Sequence, residues 1–342
     1  MKKLKLMLYV SAKFLGLMAV ARILTAKHTR ILCYHGFSYS DEHQFQGFLF
    51  MDSETFRSRM EFLKAERYPV VTLDDAVVKR AGGNTAACST VLTFDDGWQG
   101  FSDFAAPVLL EFGFPAAVYV TTYYVSHREP VFNVFVKYCF WKTARSTVAL
   151  DEIDKELQGE FDLSKHSDVQ KAISVLIRFY RSSKSTFRTN LWRSVREVLL
   201  VDAPVEAGAF LLMSQQTLGV MRKDGFDLEM HTHRHRFEAC TENEATQEII
   251  ENREVLSEIG CDEARHFCFP SGDYRDHQLS ILKNASIVSA TTTRQGLVTA
   301  KDNVLELPRI VDRQDMSLLE FEAEMSGFAH LVRLLRPRLN RT

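Results

Sequence analysis

The sequence lacks several features that would assign its class at once. None of its six cysteines, Cys33, Cys88, Cys139, Cys240, Cys261 and Cys268, forms a C-x-x-C pair, which argues against a thiolate zinc site. Their loose spacing over 342 residues suits buried free thiols in a reducing compartment better than a disulfide scaffold. The formal net charge is only −2, so no whole-molecule field draws nucleic acid, and no nucleic-acid partner is expected. No internal repeat and no low-complexity tract stands out. No apolar run is long and clean enough for a membrane span. What remains is an ordinary globular balance, 46% hydrophobic and 25% charged, long enough for one large α/β domain or two smaller ones.

The two ends differ from the middle. Residues 1–29 are basic and apolar, and from Leu6 to Ala21 only Lys13 is charged. This mixture fits an amphipathic helix lying on an anionic membrane. Lys2, Lys3 and Lys5 with Ala19-Val20-Ala21 also fit a signal peptide, against which Lys13 counts. The tail, residues 328–342, repeats the theme with Arg333, Arg336, Arg338 and Arg341. A solvated helix with one packed face is the plainer reading of both ends. The expected location is cytoplasmic, with the basic ends as a route to peripheral membrane contact; a secreted or periplasmic protein is the alternative.

Between the ends, short β-rich runs alternate with helical patterns, as in α/β folds with a largely parallel sheet. Strands are expected at Arg30–His35, Pro69–Leu73, Ser89–Phe94, Phe114–Thr122, before Met230, and at His266–Gly272, Ser286–Thr293 and Val304–Val311. Ser53 is placed to cap a helix bearing Phe56, Met60 and Leu63, and Thr241 with Glu244 forms a capping box. From about 132 to 215 the pattern turns helical and charged, an insertion into domain 30–327.

Two stretches carry chemistry. "VLTFDDGW" (Val91–Trp98) ends a buried strand on the adjacent acids Asp95 and Asp96. A turn explains this, and so does a metal whose charge makes both acids tolerable. "EMHTHRH" then places His231, His233 and His235 within five residues at another strand end. On a helical turn His231 and His235 would face one point and His233 would face away. Two imidazoles and a carboxylate are a common set for a catalytic divalent metal.

Together, T-F-D-D-G at Thr93–Gly97 and H-T-x-x-H at His231–His235 resemble the polysaccharide deacetylase family, the carbohydrate esterases with a NodB-homology domain. "RILCYHGF", "GFPAAVYVTT" and "FCFPSGDY" look like this family as well, and the early Tyr34-His35 is most similar to its exopolysaccharide-type members. The resemblance implies a distorted (β/α)7-type barrel with a helical insertion. It implies hydrolysis of N-acetyl or O-acetyl groups on a polysaccharide, oligosaccharide or lipid-linked sugar by metal-activated water. Asp96, His231 and His235 would hold the metal, zinc by default, with nickel or cobalt suiting the same ligands. Asp95 would be the general base and His35 the general acid.

One departure is visible. Many members carry Arg-x-Pro-Tyr in the third motif, where this chain has Cys268-Phe269-Pro270-Ser271. Arg309 is the candidate to replace the missing guanidinium beside Asp95, with a surface or capping arginine as the alternative, and Asp312 is a candidate to orient His35 or has no catalytic part. The turn at Pro270 and Ser271 is a candidate for substrate contact through backbone N–H groups, and Trp98 for stacking on a sugar or for packing. A metal hydrolase of another bond and a non-catalytic sugar-binding protein on the same fold are the competing readings.

Overall fold

The computed structural model describes residues 2–81, 88–182 and 185–335. Seven strands close a barrel: β1 (Arg30–Tyr34), β2 (Thr90–Phe94), β3 (Ala117–Val120), β4 (Asp227–Met230), β5 (His266–Cys268), β6 (Ser289–Gln295) and β7 (Leu307–Val311). Every neighbouring pair is parallel, chain order equals spatial order, and β1 pairs β7 to close the ring. The strands are buried on both faces, which is why they read as apolar or β-branched runs rather than alternating ones. All their C-terminal ends share one mouth, the usual place for a site in such barrels.

Two local expectations are corrected. Pro69–Leu73 is not a strand: only Val70 bridges to Thr90, and a helix starts at Leu73. The Thr72 hydroxyl accepts from the Asp75 N–H, and Asp74 and Asp75 favour the first turn of that helix, so the β-branched run is cut short. The helix Ser53–Ala65 is capped one residue earlier than expected, by Asp52, which accepts from the Thr55 N–H at 2.7 Å. The Thr241–Glu244 capping box is formed as read.

Between β3 and β4 the chain leaves the barrel. Helices Phe132–Lys142, His166–Ser182 and Ser185–Val198, with a small antiparallel pair at Thr147–Ala149 and Glu160–Asp162, build a separate aromatic core around Phe132, Phe135, Tyr138 and Phe210. That core includes Phe50 and Trp98 from the barrel side, so it is seated over the mouth. All six cysteines are free and buried. After β7, helices Leu318–Met325 and Phe328–Leu335 flank the barrel, and helices Lys2–Phe14 and Leu17–Leu24 pack on them.

Candidate active site

The first motif leaves β2 at Phe94 and turns at once. Asp96 has φ 72° and Gly97 φ 83°, two consecutive left-handed residues. Asp tolerates that region and Gly takes it without strain, so the two carboxylates are splayed in different directions instead of alternating as on a strand.

Asp95 points into the barrel and meets Arg309 from β7. The fork is bidentate: Nη1 donates to Oδ1 at 2.7 Å and Nη2 to Oδ2 at 2.6 Å. Arg309 also donates to the Thr292 carbonyl, the Thr93 hydroxyl and the Cys268 sulfur, so all five of its N–H groups are engaged. Both partners are fully desolvated, with side chains 0% and 4% exposed. Burial pushes the Asp95 carboxyl up, but the guanidinium outweighs it and holds the group below the ordinary carboxylate range. The thiols of Cys33 and Cys268 also lie 3.6 and 3.4 Å from Oδ2. A guanidinium therefore does stand beside Asp95, delivered from a late strand instead of the third motif.

Asp96 points the other way. Its Oδ1 lies 3.2 Å from Nε2 of both His231 and His235. Its Oδ2 accepts the Trp98 indole N–H at 2.8 Å. The ligand atoms of Asp96, His231 and His235 all lie within 4.8 Å of one another. Nδ1 of His231 donates to the Cys268 carbonyl at 2.8 Å, which leaves Nε2 free to face Asp96. This carboxylate and two imidazoles, each oriented by a second bond or by the backbone, fit a divalent cation such as zinc, nickel or cobalt.

The segment carrying the histidines is a loop and not the helical turn expected from their spacing. Thr232 and His235 have φ of 63° and 54°, which bend the backbone so that both rings reach the same oxygen. Asn252, wholly buried in helix Glu242–Glu258, holds that loop. It accepts the His231 N–H and donates to the carbonyls of Val120 and Thr232 and to the Thr122 hydroxyl. Sequence reading missed Asn252; an amide at an otherwise apolar position of an amphipathic helix was the available signal. Buried Glu248 adds to this by accepting from the Arg234 N–H and from the Arg234 and Arg236 side chains. His233 turns away to Thr122 and Glu251.

His35, one residue past β1, places Nε2 3.7 Å from Asp95 Oδ2. Its Nδ1 is buried without a hydrogen-bond partner among the described residues, and burial lowers the affinity of the ring for a proton despite Asp95 nearby. Asp312 does not orient it; that carboxylate pairs with Arg59 at 3.0 Å. Trp98 is 3% exposed and packs edge-on to Phe50, with part of its ring at the wall of the cleft. Pro270 and Ser271 form the short turn after β5 and lie outside that lining.

The cleft over Asp96 and His235 holds roughly 360 Å³. Its far wall comes from the insertion, through Phe132, Asn133, Ile177, Tyr180 and Arg181. The barrel therefore presents the acids and imidazoles, and the insertion encloses them.

A family model described as polysaccharide deacetylase matches residues 82–290. Among solved structures, the chain is similar to the Streptococcus pyogenes deacetylase PplD in complex with acetate, at 18% identity and TM-score 0.59, over 87% of this chain and 98% of that one. It is similar to IcaB from Ammonifex degensii at 15% identity and TM-score 0.58, over 87% and 97% of the two chains. A putative polysaccharide deacetylase from Bacillus anthracis, BA0330, aligns at 17% identity and TM-score 0.54, over 87% and 69%. At these identities the structural likeness speaks for the fold. No curated protein matches the chain.

Proposed function

Since the chain belongs to the polysaccharide deacetylase family, hydrolases of carbon–nitrogen bonds other than peptide bonds, we propose that it removes N-acetyl groups from a glycan with the help of one divalent cation. The observation that carries this reading is the division of labour between adjacent acids. Asp96 converges with His231 and His235 on one point, and Asp95 is turned aside and clamped by Arg309.

Asp96, His231 and His235 would hold the cation. Bound there, it supplies Lewis acidity, lowering the pKa of water and polarising the acetyl oxygen. Asp95 receives the proton of the attacking water. Arg309 fixes which way that carboxylate faces and keeps it ionised. His35, neutral and 3.7 Å from Asp95, takes up the proton and passes it to the leaving nitrogen. The Trp98 indole occupies the second oxygen of Asp96 and holds its first toward the imidazoles.

The test measures metal content and acetate release together. Wild type should hold about one divalent ion per chain and release acetate from an N-acetylglucosamine oligomer. His235→Ala should lose both, and Asp95→Asn should keep the metal and lose turnover. A reconstituted wild type that binds no metal would overturn the ligand set. A metal-loaded wild type inactive on N-acetylated oligomers of glucosamine and galactosamine would overturn the substrate class.

A further inference from the structure

The helix pair Lys2–Phe14 and Leu17–Leu24 has two unlike faces. One is packed: Tyr9, Ala12, Met18 and Ala21 are nearly inaccessible, and Tyr9 meets Phe328 edge-on. Lys13 is paired to Glu322 at 2.6 Å, Lys5 to Glu320 at 3.2 Å and Arg22 to Glu66 at 3.5 Å, so the pair is docked on the domain. The other face is bare. Of twenty-one exposed large hydrophobic side chains among the described residues, eleven lie between Leu4 and Leu24, and two more are Leu334 and Leu335 on the neighbouring helix. Phe14 is 90% exposed and Ile23 75%. A soluble surface rarely carries so much apolar area in one place.

The segment that builds this patch contributes charge of one sign, three of its cations being those already paired with Glu66, Glu320 and Glu322. No Asp or Glu occurs before Asp41, whereas Lys2, Lys3, Lys5, Lys13, Arg22 and Lys27 all do. Arg336, Arg338 and Arg341 follow in the sequence beyond Leu335 and lie outside the described residues. Apolar residues on a segment with basic and no acidic side chains complement an anionic lipid surface. A second copy of the same face would set lysine against lysine. The two helices are bent by 83°, and neither is long and apolar enough to cross a bilayer. Held by their packed face, they are shaped to lie in an interface.

We propose that this surface docks the protein onto an anionic bilayer with the mouth of the barrel clear of the lipid. Helix Lys2–Phe14 lies on Leu318–Met325, a helix on the flank of the barrel, and helix Leu17–Leu24 leads to the starting ends of the strands. The helix pair joins β1 at its first residue, where Arg30 binds the carbonyls of Thr25, His28 and Met325. Cys88, just before β2, donates to the Ala26 carbonyl. These are the starting ends of the strands, and Asp95, Asp96 and His231 stand at the finishing ends. The mouth therefore stays open to glycan reached from the aqueous side. This orientation rests on the proposed deacetylase site; the docking does not.

The test uses the full chain and vesicles of phosphatidylcholine, alone or with phosphatidylglycerol. Wild type should sediment with the anionic vesicles, bind neutral ones at least about tenfold more weakly, and weaken in high salt. Phe14→Ser/Ile23→Ser/Leu24→Ser, all at exposed positions, should lose at least about tenfold in vesicle binding and stay folded and monomeric. Acetate release from a soluble oligomer should stay within about twofold when wild type is vesicle-bound, because the mouth is open to water. Absence of binding to anionic vesicles overturns the docking. So does a wild-type dimer that the triple variant abolishes, which would make the patch an interface between copies. Resistance to alkaline carbonate extraction would show a span in its place. Bound protein that turns over in solution but not on vesicles overturns the orientation alone; protein inactive in both states points to failure of the deacetylase reading.

Discussion

Replacing Arg309 with Met removes five hydrogen bonds and strands the Asp95 carboxylate in a site where it is only 4% exposed. The remaining neighbours are two thiols at 3.4 and 3.6 Å and the His35 ring at 3.7 Å, none of which matches a guanidinium fork. Breaking a buried ion pair by deleting one partner costs about 3–5 kcal/mol, a large share of an ordinary domain's stability. Asp95→Asn should cost a similar amount, since it leaves the charged Arg309 buried. The pair of changes made together should cost much less than the sum, because neither charge then remains. The expected coupling is at least about 2 kcal/mol, read from urea denaturation of both single variants, the double variant and wild type. Excess chelator should be present throughout, so that metal linkage does not enter the comparison. If Arg309→Met is too unstable to purify alone, recovery of folded protein in the double variant is the same result in coarser form. Additive effects, with coupling below about 0.5 kcal/mol, would refute the claim that Arg309 exists for Asp95.

Three further outcomes are expected. Trp98→Phe keeps the packing against Phe50 but frees Asp96 Oδ2, and should weaken metal affinity about tenfold in a chelator competition. Asn252→Ala removes four buried hydrogen bonds, two to the loop bearing the histidines and two to Val120 and Thr122, and should cost about 2–4 kcal/mol in thermal or urea unfolding, with a matching loss of bound metal. Glu229, 6% exposed, is pushed by burial up to about 8, although its Oε2 accepts the Arg265 and His266 N–H groups. An acid raised in the folded state contributes stability at low pH and loses it as pH climbs through the folded value. Wild type should therefore lose stability between about pH 5 and pH 8, by up to about 1.4 kcal/mol per pH unit, relative to Glu229→Gln, whose amide oxygen can accept both N–H groups. Parallel pH profiles of the two proteins in urea melts would count against this.

The barrel was readable because its strands are short, apolar and spaced by helices, and because both chemical motifs sit where strands stop. Pro69–Leu73 misled because β-branched residues favour strands only where a neighbouring edge is open; the place beside β1 belongs to Thr90–Phe94, and Thr72 caps a helix first. The turn of His231–His235 was misread for another reason. A spacing of four suggests a helix, but left-handed Thr232 and His235 achieve the same convergence by a route that residue types do not announce. Arg309 lies 214 residues from Asp95, and no local pattern joins them. A proline motif with its arginine missing was the only hint that another guanidinium had to come from elsewhere. Asn252 carried a weaker hint, one polar residue on a buried helical face.

Two cores meet at the mouth. Phe94 belongs to the barrel's core and Trp98 to that of the insertion, with Asp96 between them and tied by a hydrogen bond to the indole. The boundary between two cooperative packing units thus runs beside a single carboxylate. A loosening of the insertion, by heat, denaturant or an oversized substrate, would move the tryptophan and with it the Asp96 carboxylate proposed to hold the cation. With the cation held as proposed, cleft width and the grip on the metal would be coupled through one indole, and a change deep in the insertion, far from every reacting atom, would become a way to tune the chemistry.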